Sequence, residues 1–365
     1  GWSKTFGYYS HLKADYNQHH FLLNVNGFYN KSSAEMTMYP TDRSEKLMFM
    51  LTWPDVRTLN QGVYVEDQIN FNQHSSLKLS VSAAIHQNKI ESEFGLNSLQ
   101  IFYPEMKPEK SRVLKSFAVN YEFNSNVFQA GFGLGYGDRA PSVSEGYGIY
   151  LFNSFEKYDY IGNPYLKNES SVEANAFLGM KLEKFNAKIS SSYFYLSNYI
   201  VGEILENLVP MTIGANGVKN YTALDNATIF NVSLSTELQI AEPLKWSAQF
   251  VYTRGKDNQN QNLPFMSPFS YQSSLKFEKN KFSSELAVHG NAKYQDFAEK
   301  YGESATPDYL EMNASLGYLF KMNNSKILAK IGVENIFDRF YTTFSDWNKI
   351  PRPGRNFFLN LSFNW

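Results

Sequence analysis

The chain has 365 residues, a formal net charge of −1 and no cysteine. A balanced charge offers nucleic acid no basic surface, and the lack of cysteine excludes disulfides, thiolate metal sites and a cysteine nucleophile. Aromatic residues reach 16% of the chain while mean hydropathy is −0.41, so the sequence is aromatic and polar together. No apolar run approaches the ~18 residues of a membrane helix, but barrel strands, apolar outside and polar inside, average to such a hydropathy.

Alternation begins at once. GWSKTFGYYSHL (1–12) reads as a strand and is followed by a short polar turn at 13–17. Because it opens at Gly1 with neither an initiator Met nor a signal peptide, the chain is expected to be a fragment or a processed product. Two methionine-bearing stretches, AEMTMYP (34–40) and KLMFMLTWP (46–54), flank a short loop, and the strand-like WPDVRTLNQGVYVEDQI (53–69) follows. After a short turn at 72–75 and a long connection at 88–109, Val113, Lys115, Phe117, Val119, Tyr121 and Phe123 share one parity. Beyond the turn FNSN, Phe128, Ala130, Phe132, Leu134 and Tyr136 share the next. A long connection (137–169) leads to Val172, Ala174, Ala176, Leu178, Met180 and Leu182, set opposite Glu173, Asn175 and Lys181. Phe230, Val232, Leu234, Leu238 and Ile240 alternate with Asn231, Ser233, Ser235, Glu237 and Gln239. Trp246 to Tyr252, Leu286 with Val288, Leu310 to Phe320 and Ile327 to Val333 continue the pattern. The chain closes on NFFLNLSFNW, where Phe357, Leu359, Leu361, Phe363 and Trp365 form one apolar face.

About fifteen such segments can be counted, most near the ~10 residues a tilted membrane strand needs. Short turns at 13–17, 72–75, 123–126, 183–186, 241–244, 278–281 and 321–326 alternate with long connections at 88–109, 137–169, 200–221, 255–266, 295–308 and 339–354. Sorted loop lengths of this kind are the habit of outer-membrane barrels. Helical signals are nearly absent, and no propeller repeat occurs. The expected fold is therefore all-β, a transmembrane antiparallel β-barrel. A chain ending on the short-turn side would start just after an external loop. Its odd strand count suits a barrel whose first strands lie outside the chain, because an open sheet in lipid leaves backbone groups unpaired.

Three stretches resemble the barrel of TonB-dependent outer-membrane receptors. DRAPSVSEGYG (138–148) with YDYIGNPYLKNESS (158–171) is similar to the family's R-x-P-S-x-x-E then G-N-P-x-L-x-x-E-x-S pattern. The match is carried by Arg139, Pro141, Ser142, Glu145, Gly162, Asn163, Pro164, Leu166, Glu169 and Ser170. VENIFDRFY (333–341) with IPRPGRNFFLNLSFNW (350–365) resembles the closing N-L-F-D-x-x-Y … P-x-P-G-R segment and terminal aromatic strand, with Trp365 in place of the usual Phe. WPDVRTLNQGVYVEDQI resembles a mid-barrel strand. The resemblance implies a barrel of about 22 strands with a plugged lumen, of which residues 1–365 would supply strands eight to twenty-two, the plug, its TonB box and the first strands lying outside the chain. It also implies a Gram-negative outer-membrane site, surrounding lipids, TonB acting through the plug, an imported nutrient, an assembly machinery that reads the terminal aromatic strand, and in some members a lipoprotein lid.

Four groups of residues are candidates for function. The loop of Arg139, Pro141, Ser142, Glu145, Gly162, Asn163, Pro164 and Glu169 reads either as a ligand-contacting or moving loop, or as scaffold in which Arg–Glu pairing and prolines fix turns. Met36, Met38, Met48 and Met50 read either as a soft site suited to Cu(I) or as adaptable apolar side chains at strand ends; no histidine lies in their loop to strengthen a copper site. Tyr158, Tyr160, Tyr341, Phe344 and Trp347 read as a ligand vestibule or as girdle and loop packing. Phe357, Leu359, Leu361, Phe363 and Trp365 form the terminal strand. Histidines show no metal spacing. Ser284 and His289 have opposite parity on one strand, and no P-loop, dinucleotide fingerprint or nucleophile elbow occurs. No cofactor and no enzyme activity are expected. The reading is an energised importer of a scarce nutrient such as a ferric siderophore, haem, cobalamin, a metal or a glycan. A plugless passive channel and a structural subunit of an outer-membrane complex are the alternatives.

Overall fold

The computed structural model describes residues 1–39, 44, 46–322, 325–346 and 349–364. In chain order its elements are β1 (Trp2–Tyr16), β2 (His19–Met38), β3 (Met48–Asn70), β4 (Ser75–Ile90), α1 (Glu93–Gln100), β5 (Glu109–Asn124), β6 (Phe128–Arg139), α2 (Val143–Tyr147), β7 (Leu151–Asn153), β8 (Tyr158–Ile161), β9 (Glu169–Lys181), β10 (Phe185–Leu205), β11 (Gly217–Ala241), β12 (Leu244–Asp257), β13 (Ser270–Lys279), β14 (Phe282–Asn291), a 3₁₀ turn (Glu299–Tyr301), β15 (Tyr309–Met322), β16 (Ser325–Glu334) and β17 (Asn356–Asn364). The seventeen strands form one sheet. Fifteen of them, β1–β6 and β9–β17, pair antiparallel with their chain neighbours to build the wall. The short β7 and β8 form a hairpin in the β6–β9 loop, where β8 pairs parallel with the first residues of β11.

Register explains the two-faced sequence. Leu12, Leu23, Val65, Val81, Phe117, Tyr136 and Val172 lie side by side in one row across seven strands. A neighbouring row of the opposite parity reads His11, Asn24, Tyr64, Ser82, Ser116, Gly137 and Ser171. The first row faces lipid and the second faces the lumen. There the hydroxyls of Ser82 and Ser116 meet at 2.6 Å, Asn88 Nδ2 donates to Thr58 Oγ1 at 2.9 Å, and the Tyr64 hydroxyl donates to Glu66. On β17, Phe357, Leu359, Leu361 and Phe363 stand opposite Val333, Ile331, Ala329 and Ile327 and continue the outward band; Trp365 lies outside the described residues.

Short turns close one end of the wall. Asn17 (φ 54°) and Asn280 (φ 56°) take the left-handed conformation that asparagine tolerates. At the other end the strands overrun the membrane. β2 has 20 residues, β3 23, β10 21 and β11 25, about twice the ~10 that span a bilayer. Two short helices, unread in the sequence, sit among these overhangs. Ser92 caps α1 by accepting from Gly95 N at 3.1 Å. A Cβ on Gly95 would lie 2.3 Å from Pro54 Cβ, so the glycine lets the helix dock on β3.

The buried apolar residues gather here rather than in the wall. One cluster contains Met50, Val56, Ile90, Leu99, Met106, Tyr147, Ile149, Tyr150, Ile161 and Val218. A second contains Leu196, Val201, Leu224, Ala227, Leu263, Ala298 and Tyr301. Among the described residues no strand pairs with the outer edge of β1 or of β17, so the sheet is open, and every residue of β1 is exposed.

The facing assignment is testable within one strand. Within β4, Val81→Lys puts a charge in the lipid band and is expected to cost about 2–4 kcal/mol. Ser82→Lys puts it in the lumen and is expected to cost under about 1 kcal/mol. Outer-membrane abundance and heat-modifiable gel mobility read both.

Candidate functional site

The mouth formed by the overhanging strands and long loops holds most of the residues singled out in the sequence. At the start of the β6–β9 loop, Arg139 forks between two carboxylates. Its NH1 donates to Glu145 Oε2 at 2.7 Å and its NH2 to Glu169 Oε2 at 3.0 Å. Burial opposes the guanidinium charge, but Glu145 and Glu169 more than restore it and hold Arg139 well above its ordinary pKa. Ser142 and Glu145 form a capping box on α2. The loop returns over that helix: Gly162 N donates to Gly148 O at 2.7 Å and Asn163 N to Glu145 O at 2.8 Å. A Cβ at Gly162 would lie 2.5 Å from Tyr147 N, so the close approach needs glycine. Pro141 and Pro164 are buried, and Lys110 Nζ donates to Pro164 O at 2.8 Å. Arg139, Ser142, Glu145 and Glu169 thus pair with one another, and Glu169 Oε2 also accepts from Ile200 N of β10 at 3.0 Å.

Of the aromatic residues read as a vestibule, Tyr160 is 3% and Tyr341 7% exposed. The Tyr160 ring packs 4.7 Å from Tyr221, and its hydroxyl donates to Glu156. Burial first, then the Glu156 carboxylate, raise its pKa far beyond the usual phenol range, so it stays a donor. Tyr341 stacks 4.2 Å from Tyr309 and donates to Glu311. The Tyr158 ring lies 4.6 Å from Lys219 Nζ. These three tyrosines pack the mouth because each ring found a partner from a distant segment. Trp347 lies outside the described residues. Among the described residues of this group, Phe344 lines an open cavity. That cavity, of about 410 Å³, is bounded by Phe155, Lys157, Tyr294, Glu303, Phe344, Asp346 and Lys349 among others. One wall is fixed by Asp346, which accepts from Thr343 N at 2.7 Å and from Arg352 Nε at 3.0 Å. Burial would raise the Asp346 carboxyl, but these donors outweigh it and hold the carboxyl below its usual range.

The methionines form a ladder. Met36 stands opposite Met50, and Met38 opposite Met48, on one face of the β2–β3 overhang. Met48 is exposed, while Met50 is 8% exposed inside the first apolar cluster, against which Met36 and Met211 pack and of which Met106 is part. Glu35 and Thr37 take the other face. Among the described residues, no group of three or more His, Asp or Glu side chains could hold a metal ion.

One arrangement has no sequence signal. Lys219, 0% exposed, pairs with Glu156, 3% exposed, and also donates to Tyr301 O at 2.7 Å. The pair spans 63 residues and joins the β6–β9 loop, the β11 overhang and the 3₁₀ turn. Lys219→Met would leave a buried, unpaired carboxylate. It is expected to loosen these loops by about 3–5 kcal/mol, with the double change to Lys219→Met and Glu156→Gln recovering most of the loss. Amide exchange over residues 153–161 and 217–221 measures it.

Comparison with solved structures finds the same wall. The structure titled copper transporter OprC superposes with TM-score 0.82 at 17% identity, covering 100% of this chain and 56% of that one. The FrpB iron transporter of Neisseria meningitidis gives 0.66 at 12% identity, covering 98% and 54%. The ferric enterobactin receptor of Pseudomonas aeruginosa, in a mutant form, gives 0.60 at 13%, covering 98% and 61%. The chain therefore spans little more than half of each. A search of curated protein sequences found no match. Residues 1–336 match the TonB dependent receptor-like, beta-barrel family. The chain belongs to that family, the β-barrels of receptors in the outer membrane of Gram-negative bacteria.

Proposed function

We propose that this barrel forms the wall and outer mouth of a TonB-dependent importer, and that its cargo is a soft metal ion, Cu(I). The observation that carries the cargo reading is the ladder of Met36–Met50 and Met38–Met48. Thioethers are soft, uncharged ligands that favour Cu(I) over harder divalent ions. The outer rung is open at Met48 and the inner rung is buried at Met50, an order suited to capture from outside and handover inward. The neighbour titled a copper transporter supports the same class of cargo. No enzymatic step is part of this reading. The barrel supplies a polar lumen, fixed loops and the terminal strand (Phe357, Leu359, Leu361, Phe363 and Trp365) that assembly machinery would recognise. A plug and TonB would supply the coupling.

Replacing all four methionines by Leu conserves volume and is expected to cost the fold under about 1.5 kcal/mol per site. In intact cells the variant should lose at least about tenfold in Cu(I) affinity, a loss of about 1.4 kcal/mol, measured by competition with a Cu(I) chelator. An unchanged affinity would reject the metal reading while leaving the importer reading standing.

A further inference from the structure

The methionine ladder meets water at one sulfur. Among the methionines whose side chains the structure describes, Met48 is the exposed one, at 46%. Met36, Met38 and Met211 are half-buried, and Met50 and Met106 are buried. Met48 does not hang from a frayed strand end. It pairs with Met38 in the ladder, and the ring of the next residue, Phe49, lies 5.8 Å from Phe94 of α1. The inner rung is sealed by the apolar cluster, in which Val56 and Leu99 are fully buried beside Met50.

Exposure matters to a thioether because its sulfur can be oxidised. Hydrogen peroxide transfers one oxygen atom to the sulfur. The peroxide O–O bond breaks, an S=O bond forms, the sulfur loses two electrons and the second oxygen leaves as water. The product side chain is polar and chiral in place of flexible and apolar. It also presents a hard oxygen where the outer rung held a soft donor for Cu(I). On a buried methionine the change would disrupt packing. At Met48 the new oxygen projects into water, so the backbone pairing with Met38 is kept while the thioether pair is lost. Met38 is left as a lone soft donor on that rung.

We propose that Met48 is an oxidative modification site that switches off Cu(I) capture: peroxide converts it to the sulfoxide, the outer rung loses its metal, and the inner rung around Met50 stays reduced. The proposal rests on the Cu(I) reading of the ladder. It places on the capture of a peroxide-reactive ion a brake that peroxide itself applies.

The test uses the purified protein in detergent, graded hydrogen peroxide and peptide mass spectrometry. Once the peroxide is removed, anaerobic competition with a Cu(I) chelator gives the affinity. Met48 should take up oxygen ahead of Met36, Met38, Met50, Met106 and Met211. At the dose that oxidises Met48 alone, Cu(I) affinity should fall at least about tenfold, because losing even an outer-shell partner costs a metal site about 10–100-fold. Heat-modifiable gel mobility should not change. Methionine sulfoxide reductases of both epimer specificities, supplied with a dithiol, should restore the affinity; the sulfoxide oxygen leaves as water and the dithiol becomes a disulfide. The single change Met48→Leu, which conserves volume, should abolish the response to that dose. Oxidation of Met50 ahead of Met48, an unchanged affinity with Met48 fully oxidised, or a loss that appears only as gel mobility changes would overturn the proposal and leave the Cu(I) reading standing. Untreated protein that binds no Cu(I) would overturn both.

Discussion

Within a bilayer no water is present to satisfy a backbone N–H or C=O, so each must be paired inside the protein. The rest of this structure follows from that constraint. It demands a continuous antiparallel ladder, and the ladder fixes side chains to alternate faces. The row from Leu12 to Val172 can then be wholly apolar while the row from His11 to Ser171 is polar. A wall one strand thick has no interior of its own. The buried residues consequently appear where the strands leave the membrane, in the two clusters around Leu99 and Leu263.

That displacement of the core gives the mouth its character. Loops built only of turns would be mobile, yet here they are tied by packing and by buried polar contacts. Arg139 fixes the entry and exit of the β6–β9 loop. Lys219 and Glu156 lock that loop to β11 and to the 3₁₀ turn. A buried pair is weak evidence for net stability, but breaking it is expensive, so it specifies one loop arrangement. The same rigidity holds the methionine ladder in a fixed register and bounds the cavity beside Phe344. A tied outer mouth and a polar inner face are thereby built from one sheet.

The wall was legible in the sequence because period two is a local signal. Val113 to Phe123 and Phe357 to Phe363 declare their faces without reference to anything else, and turns such as FNSN mark where strands reverse. The family motif was legible for a similar reason: Ser142 and Glu145 form a capping box within four residues. What escaped was long-range. Lys219 and Glu156 meet across 63 residues, and nothing near either announces the other. Tyr160 and Tyr341 looked like vestibule residues because exposure cannot be read from residue type; Tyr221 and Tyr309 cover them. The overhangs of β2, β3, β10 and β11 were hidden because loop-like composition continues as strand when a neighbouring overhang supplies hydrogen-bond partners. The methionines were visible as Met-x-Met, but their pairing needed the register of β2 against β3.

Energised transport through this barrel is the proposed function. The most direct measurement is accumulation of radioactive copper at limiting concentration by cells carrying the full receptor, with and without TonB. Accumulation that collapses without TonB, although surface binding persists, is the predicted result. Accumulation that proceeds equally in both would contradict the account and identify the barrel as a passive channel.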